Sequence, residues 1–255
     1  MRTRIHYTML SLAVIAAAYL TQQQFSTTTT PVLKTNTARL QKAFAPAPSQ
    51  QQFIEKITQS ENQVNQKILQ KRKKILNLMQ QTTLSNQDIN QLKKIAKQYK
   101  LKNLNFKSRS EQDFNQLLKR VDIIPSALVT AQAINESNWG RSRFATEGNN
   151  FFGMRCHRSG CGIIPKARPE GSRWEVASYS SATDSVRAYI HTLNTLGAYQ
   201  KLRDLRAKMR ADHQTLSPFK LAAGLTAYSI KGEKYVQLIQ NIIARYLPEE
   251  PPQLG

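Results

Sequence analysis

The sequence has few of the residues from which metal centres are built. Its 255 residues include 2 cysteines and 4 histidines, and no metal-ligand spacing is seen among His6, His157, His191 and His213. A serine nucleophile elbow, a phosphate-binding glycine loop and a zinc-protease helix are also missing from the sequence. The chain therefore lacks the signatures of serine hydrolases, nucleotide-binding enzymes and zinc proteases, and no cofactor or metal is expected.

Acidic residues are also scarce. The chain has 16 Asp and Glu against 37 Lys and Arg, which gives a formal net charge of +21. Such an excess favours polyanionic partners: nucleic acid, anionic lipid or anionic polymers of the bacterial envelope. The densest basic run, KRKK at 71–74, has no interleaved aromatic residues. It indicates a solvated helix face, and nucleic acid is not the expected partner.

The apolar run at residues 9–20 is too short for a comfortable transmembrane helix. It follows Arg2 and Arg4 and has the length of a signal-peptide core. Residues 1–20 are therefore predicted to be a signal peptide or a membrane anchor. The protein is expected to be exported to the periplasm or cell envelope.

The two cysteines, Cys156 and Cys161, lie close together in the run CHRSGC. In an exported protein such a pair favours a small disulfide loop. The alternative is a metal site with His157 as a further ligand. That site would have three ligands where structural zinc usually has four, so the disulfide is the preferred prediction.

The rest of the chain is divided by composition. Residues 21–50 are polar and dotted with Thr and Pro, as in a disordered linker. Residues 51–109 are predicted to be a basic helical region, because apolar residues recur there at helical spacing. Residues 110–255 are predicted to be one mainly α domain with a small β-hairpin lobe, whose best strand is Trp174–Tyr179. Helix starts or spans are predicted at Ser85, Ser110, 126–138, Ser181, Ser217 and 232–247.

Glu136 is the leading candidate for chemistry. It shares a helix face with Val129 and Ala133, so its carboxyl is aimed partly at the core near a helix end. Burial and the negative end of the helix dipole both favour the uncharged carboxylic acid, which a general acid requires. The alternative is an ion pair with Arg141 or Arg143. The pattern of residues alone leaves both readings open.

The run AQAINESNWGRSRFATEGNNFFGMRC, at 131–156, resembles a known signature. Its Glu-Ser-x-Trp-Gly and Asn-x-Phe-Gly segments are similar to those of the glucosaminidases of glycoside hydrolase family 73, in particular the Bax-type branch. The likeness extends from about 118 to 247. It implies a lysozyme-like, mostly helical fold with a small β-lobe. It also implies hydrolysis of β-1,4 linkages after N-acetylglucosamine in peptidoglycan.

The resemblance also implies roles for individual residues. Glu136 matches the catalytic acid of the family. Substrate-contacting positions correspond to Trp139, Asn150, Phe152, Tyr228 and Tyr235. The two tyrosines stand seven positions apart, one more than the spacing expected of the family.

A second carboxylate is harder to assign. An inverting hydrolase needs a base across the cleft, and a retaining one needs a nucleophile closer by. Glu175 is preferred, because alternation in the strand could point it at the cleft. Glu170, between Pro169 and Gly171, has the setting of a solvated loop charge. A third alternative is assistance by the substrate's own acetamido group.

The leading hypothesis is a peptidoglycan β-N-acetylglucosaminidase with Glu136 as general acid. Peptidoglycan glycan strands would be the substrate, and the basic N-terminal helices would bind anionic envelope polymers or the membrane surface. The alternatives are a lytic transglycosylase and a non-catalytic module that holds glycan or a partner in the envelope.

Overall fold

The fold is mainly α-helical, with one small sheet. A computed structural model describes residues 46–247, so the predicted signal or anchor and the predicted linker up to residue 45 lie outside the described residues. The described helices are α1 (Pro48–Gln80), α2 (Asn86–Gln98), α3 (Glu111–Arg120), α4 (Ser126–Ser137), α5 (Arg143–Gly148), α6 (Ala182–Thr195), α7 (Gln200–Ala211), α8 (Pro218–Ala222) and α9 (Glu233–Tyr246). Short 3₁₀ turns cover Phe106–Ser108 and Gly197–Tyr199, and the strands are β1 (Arg155–Cys156), β2 (Gly162–Ile163) and β3 (Glu175–Ala177).

Helix α1 organises the core. It begins at Pro48, whose fixed φ and missing N–H suit a first helical turn. Its buried face, which includes Ile57 and Ile75, packs against α4 and α6 and also contacts α3. The predicted basic region and the predicted domain therefore share one continuous core within residues 46–247, without a structural break at 109/110.

The β-lobe is a three-stranded antiparallel sheet in the order β1-β3-β2. Cys156 faces Glu175 across the β1–β3 pair. The predicted strand at 174–179 is shorter than expected, because only its residues 175–177 pair. The predicted disulfide between Cys156 and Cys161 is confirmed, with Cα atoms 6.3 Å apart, so both thiols are unavailable to a metal.

Most predicted helix starts agree with the structure. The hydroxyls of Ser85, Ser181 and Ser217 each accept a hydrogen bond from the backbone N–H three residues ahead, at 3.1, 3.1 and 3.2 Å. Helix α3 also follows Ser110 as expected, but that side chain makes no capping bond. The arrangement matches the predicted mainly α, lysozyme-like α+β class.

Two helices were not predicted. The short α5 lies in the stretch 140–180, whose Gly and Pro residues argue against long helices but leave room for this helix of 6 residues. Helix α7 was missed because Arg203 and Arg206 lie on its buried face, which hides the apolar stripe. Among residues 46–247, no helix combines the length and the apolar character needed to cross a membrane.

Candidate active site

Glu136 lies in the last turn of α4, with its side chain half-buried. The helix ends immediately after it, because Asn138, Trp139 and Gly140 all have left-handed backbone, with φ of 49°, 60° and 74°. A Cβ on Gly140 would lie 2.7 Å from the ring of Phe53 on α1, so only glycine fits there without a shift. The turn thus places Glu136 at the end of a helix that is otherwise buried in the core.

One oxygen of Glu136 receives both hydrogen bonds made to its carboxyl by described residues. The Asn135 side-chain amide donates to Oε1 at 2.9 Å, and the Tyr235 hydroxyl donates to the same atom at 2.7 Å. Oε2 receives none from residues 46–247 and is not sealed from solvent. An accessible, unbound carboxyl oxygen is what proton transfer to a substrate requires.

The alternative ion pair is not formed. Arg141 donates to the backbone and side-chain oxygens of Asn138, at 3.1 and 3.0 Å. Arg143 donates to the carbonyl of Ile164 at 2.9 Å and lies 3.8 Å from Glu147. No cationic side chain in the described part of the chain lies within ion-pair distance of Glu136, so the arginine alternative is wrong for this structure.

A cluster of four tyrosines, buried except for the half-buried Tyr228, lies on the inner side of Glu136. Tyr228 and Tyr235 are stacked, with ring centroids 5.4 Å apart and planes 11° from parallel. Burial, reinforced by the charge of Glu136, raises the pKa of both phenols. Tyr189 and Tyr199 pack edge-on or tilted against Tyr228, and burial raises the pKa of each. The cluster therefore offers neutral hydroxyl groups rather than phenolates.

The remaining residues assigned to substrate binding are placed as follows. Trp139 is half-buried, edge-on to Phe53 at 6.2 Å and to Tyr246 at 5.0 Å between centroids. Phe152 is 2% exposed and stacks on Tyr189 at 4.0 Å, while its carbonyl accepts a 2.8 Å bond from Tyr228. Phe152 therefore supports the tyrosine cluster from within the core.

Asn150 is also buried, and all its described bonds are internal. Its Nδ2 donates to the carbonyls of Met154 and Ala177, at 2.9 and 2.7 Å. Its Oδ1 accepts from the N–H groups of Phe152 and Met154, at 3.3 and 3.1 Å. In this structure Asn150 fixes the turn between α5 and the β-lobe, and the sugar contacts expected of Asn150 and Phe152 stay a prediction.

Glu175 does not point into an open cleft, which corrects the expectation from strand alternation. It is 5% exposed, and its two oxygens accept hydrogen bonds from the N–H groups of Gly160 and Gly162, at 2.9 and 2.8 Å. These backbone bonds hold the pKa of Glu175 below its usual range. Its carboxylate therefore braces the disulfide loop. Glu170 is exposed, as expected of a loop charge.

Sequence reasoning missed two polar groups that reach the site. Gln132 is fully buried on α4, and its Nε2 donates to the Tyr235 hydroxyl at 2.9 Å. The Tyr189 hydroxyl donates to Gln132 Oε1. A buried glutamine one turn before Glu136 was the available signal, because buried polar groups are nearly always hydrogen-bonded.

A separate charged cluster lies beside a cavity of about 800 Å³ between α1, α3 and α7. Asp122, at its centre, is contacted by Arg72, Arg206 and Arg210 at 3.4, 3.8 and 3.1 Å. Although burial opposes ionisation, these guanidinium groups hold the pKa of Asp122 below its usual range. Burial lowers the pKa of Arg206 to about 10. The arginines also donate to carbonyls at the end of α3, which indicates a structural cluster.

Comparison with known proteins assigns the chain to a family. A family model described as "Glucosaminidase: Mannosyl-glycoprotein endo-beta-N-acetylglucosaminidase" matches residues 111–247, more than half of the chain. The chain belongs to the glucosaminidase family. The matched segment begins at α3 and contains α4, the β-lobe and α9, and thus every part of the Glu136 site described above except Phe53.

The chain is similar in sequence to Protein bax of Escherichia coli (strain K12). It is 39% identical over 145 residues, which is 56% of this chain and 50% of the relative. The chain thus aligns with about half the length of that protein. No solved structure matches. Glucosaminidase-family membership and this likeness support a Bax-type protein with a glycosidase-type function on glycan.

Proposed function

We propose that the protein is a peptidoglycan hydrolase that cleaves the β-1,4 bond after N-acetylglucosamine, with Glu136 as its general acid. The observation that carries the proposal is the asymmetry of the Glu136 carboxyl. Two donors hold Oε1, whereas Oε2 is accessible and unbound by described residues. That oxygen can carry a proton to a glycosidic oxygen lying above the helix end.

In the reaction, the proton on Glu136 moves to the glycosidic oxygen as the bond from that oxygen to the anomeric carbon breaks. Water then adds to the anomeric carbon and releases a proton, so that both products carry hydroxyl groups. The half-buried Trp139 and Tyr228 would line the sugar site, since aromatic faces suit a carbohydrate. Tyr235 would act from behind them through its hydroxyl. Negative charge on Glu136 after proton transfer would be stabilised by the Tyr235 and Asn135 donors.

A lytic transglycosylase is the second candidate, and one observation favours keeping it. Glu175 is engaged by two backbone N–H groups, so it is poorly placed to serve as a base or nucleophile in this conformation. With a single carboxyl group, Glu136 would act as acid and then base, and the muramyl hydroxyl would close an anhydro ring in place of water. Assistance by the substrate's acetamido group would also dispense with Glu175.

We further propose that the protein works outside the cytoplasmic membrane. The Cys156–Cys161 disulfide supports an oxidising compartment. The charged and then apolar start of the sequence supports export. Exposed lysines of α1, such as Lys73 and Lys74, would bind anionic envelope polymers or the membrane surface.

The test is digestion of purified bacterial sacculi by the full-length protein. The wild type is compared with Glu136→Gln and with the matched control Glu147→Gln, which changes an exposed acid on α5. Released fragments are reduced and identified by mass spectrometry. Reducing-end N-acetylglucosamine from the wild type and the control, but not from Glu136→Gln, is the expected result.

Other products select other functions. Anhydro-muramyl ends would identify a transglycosylase with the same acid. Equal products from the wild type and Glu136→Gln would overturn the role of Glu136. Retained binding to sacculi without product from any of the proteins would support the non-catalytic module.

A further inference from the structure

We propose that Gln132 is a positioning residue that sets the direction of hydrogen bonding at Glu136, so that the transferable proton resides on Oε2. This inference rests on the proposed function. Gln132 lies four residues before Glu136 on α4, and the two side chains share one helix face. Its side chain is fully buried between the tyrosines of α6 and α9.

Tyr189, Gln132, Tyr235 and Glu136 are joined by a series of hydrogen bonds. The direction of that series follows from which atoms can donate and which can only accept. Gln132 Oε1 can only accept, so the Tyr189 hydroxyl, which contacts it, must donate. Gln132 Nε2 can only donate, so the Tyr235 oxygen accepts from it at 2.9 Å. The single hydrogen of Tyr235 is then directed at Glu136 Oε1, 2.7 Å away. Hydrogen bonds therefore run in one direction from Tyr189 through Gln132 and Tyr235 to Glu136.

This direction distinguishes the two oxygens of Glu136. Oε1 already accepts from Tyr235 and Asn135, and a hydrogen on Oε1 would oppose both donors. Oε2 has no protein donor among residues 46–247 and is accessible. A protonated Glu136 therefore carries its hydrogen on the outward oxygen, ready for transfer. The amide of Gln132 performs this task because it has one donor end and one acceptor end.

Ionisation of the groups around Glu136 does not disturb this series of hydrogen bonds near neutral pH. The titratable groups that face Glu136 are Tyr235 of α9, Tyr228 of the preceding turn, Tyr199 of the 3₁₀ turn and Tyr189 of α6. Burial raises the pKa of each of them, so all remain hydroxyl groups. No charged side chain in the described range pairs with Glu136. The direction thus depends on the Gln132 amide.

The test uses two substitutions in the full-length protein, Gln132→Glu and Gln132→Met. Gln132→Glu keeps the shape and the acceptor for Tyr189, but its ionised form cannot donate to Tyr235. The Tyr235 hydrogen then turns away from Glu136. Burial raises the pKa of the introduced carboxyl, so we expect kcat to fall about tenfold or more only above that pKa. KM should change less than about twofold, because only the proton donor is misaligned.

A pH series separates positioning from packing. At acid pH the introduced carboxyl is protonated and can again donate to Tyr235, so kcat of Gln132→Glu relative to wild type should recover. Gln132→Met has no titrating group at this position, so its ratio to wild type should not change with pH. Circular dichroism reports the folded fraction, so that kcat is expressed per folded molecule.

The matched control is Thr130→Val on the same helix. Thr130 is fully buried, and its hydroxyl has no partner in the described part of the chain. Its removal should leave kcat and the pH curve of the wild type unchanged. A loss of kcat in Thr130→Val equal to that of the Gln132 variants would reduce the effect to general packing and overturn the proposal.

A second readout does not depend on activity. The ¹³C carboxyl resonance of Glu136 can be assigned by its loss in Glu136→Gln and followed against pH. Its titration midpoint should be higher in Gln132→Glu than in wild type, because a donor is lost and a negative neighbour is gained. An unchanged midpoint would overturn the proposal, since the lost donor and the gained negative charge should both raise it. Absence of any glycan product from wild type would instead count against the proposed function alone.

Discussion

The hydroxyl of Tyr235 donates a 2.7 Å hydrogen bond to Oε1 of Glu136, and the two residues are 99 positions apart in the sequence. This bond joins α9 to the end of α4 at the point where the proposed chemistry takes place. The ring of Tyr235 is stacked on Tyr228 and is 3% exposed. Its hydroxyl and its ring therefore have separable roles.

Tyr235→Phe is expected to reduce turnover with little loss of stability. The phenyl ring keeps the stack on Tyr228, whereas Glu136 loses a donor and Gln132 loses an acceptor. We expect kcat to fall about tenfold to a hundredfold, with about 1 kcal/mol lost from the free energy of unfolding. Sacculus digestion and urea unfolding measure the two effects.

Tyr246→Phe is the control for that prediction. Tyr246 contacts Trp139 edge-on, but its hydroxyl makes no hydrogen bond within residues 46–247. Its removal should leave kcat near the wild-type value. If Tyr235→Phe matched the wild-type turnover as closely as Tyr246→Phe does, the hydroxyl of Tyr235 would have no part in the reaction.

Local pattern predicted the helices whose buried faces are apolar. Helix α9 was predicted over 232–247 and is observed over Glu233–Tyr246, because Tyr235, Val236, Ile239 and Ile243 form an apolar stripe that is buried. Helix α7 has the opposite character. Its buried Arg203 donates to the carbonyls of Leu193 and Leu196, at 2.8 Å each, so burial follows hydrogen bonding rather than hydrophobicity.

The residues of the candidate site also differ in how far the sequence alone predicts them. Glu136 could be singled out from its place in the sequence, because a carboxyl on an apolar helix face is unusual. The partners of Gln132 could not be predicted from the sequence, since Tyr189 and Tyr235 are 57 and 103 positions away. Alternation in β3 predicted that Glu175 points to the cleft. Its carboxylate instead accepts hydrogen bonds from N–H groups of the disulfide loop, inside the β-lobe. Such long-range partners appear only when the chain is folded.

Asp122→Asn is expected to destabilise the protein strongly. The substitution leaves Arg206, which is 1% exposed, without its negative partner. Breaking a buried ion pair by removing one partner costs about 3 to 5 kcal/mol. Asp204→Asn, which breaks an exposed pair with Lys119, should cost no more than about 1 kcal/mol. Urea unfolding of both variants measures the difference, and equal losses would contradict the structural importance of the cluster.

The same carboxylate predicts a dependence of stability on pH. The pKa of Asp122 is lower in the folded protein than in the unfolded chain, where it is about 3.9. Its contribution is therefore complete above the unfolded pKa and is lost as the pH falls through the folded pKa. Between neutral pH and acid, wild type should lose more unfolding free energy than Asp122→Asn. Parallel pH curves for the two proteins would show that Asp122 contributes nothing to this dependence.

Glu175→Gln is expected to loosen the disulfide loop of the β-lobe. The single oxygen of the amide can still accept from the N–H of Gly160 or Gly162. The NH₂ group then faces the other N–H and cannot accept from it. Amide hydrogen exchange at 158–163 should become faster. The control Glu170→Gln changes an exposed acid and should leave that exchange unaltered.

Turnover of Glu175→Gln shows whether Glu175 stabilises the disulfide loop or reacts with the substrate. Loosening of the lobe should lower turnover in proportion to the change in exchange. If Glu175→Gln abolished turnover while exchange at 158–163 stayed at the wild-type rate, Glu175 would have to act directly on the substrate. Measuring both quantities on one preparation makes the comparison decisive.

Gly140→Ala is expected to destabilise the turn that follows Glu136, for two separable reasons. The backbone at Gly140 has φ of 74°, and an added Cβ would also lie 2.7 Å from the ring of Phe53. Gly171 is the matched control, because its φ is 76° and a Cβ there would have no neighbour within 4 Å. Gly171→Ala should cost about 1 kcal/mol from backbone strain alone.

The excess cost of Gly140→Ala over Gly171→Ala should be about 1 to 3 kcal/mol, the usual penalty for overpacking. Phe53 can relieve little of it by moving, because its ring packs against Trp139 and Phe151, with centroids 6.2 and 5.9 Å away. Phe53→Leu should make room, so Gly140→Ala should cost less in that background than in wild type. A double-mutant cycle by urea unfolding measures this coupling. Zero coupling would mean that strain alone, and not contact with α1, requires glycine beside Glu136.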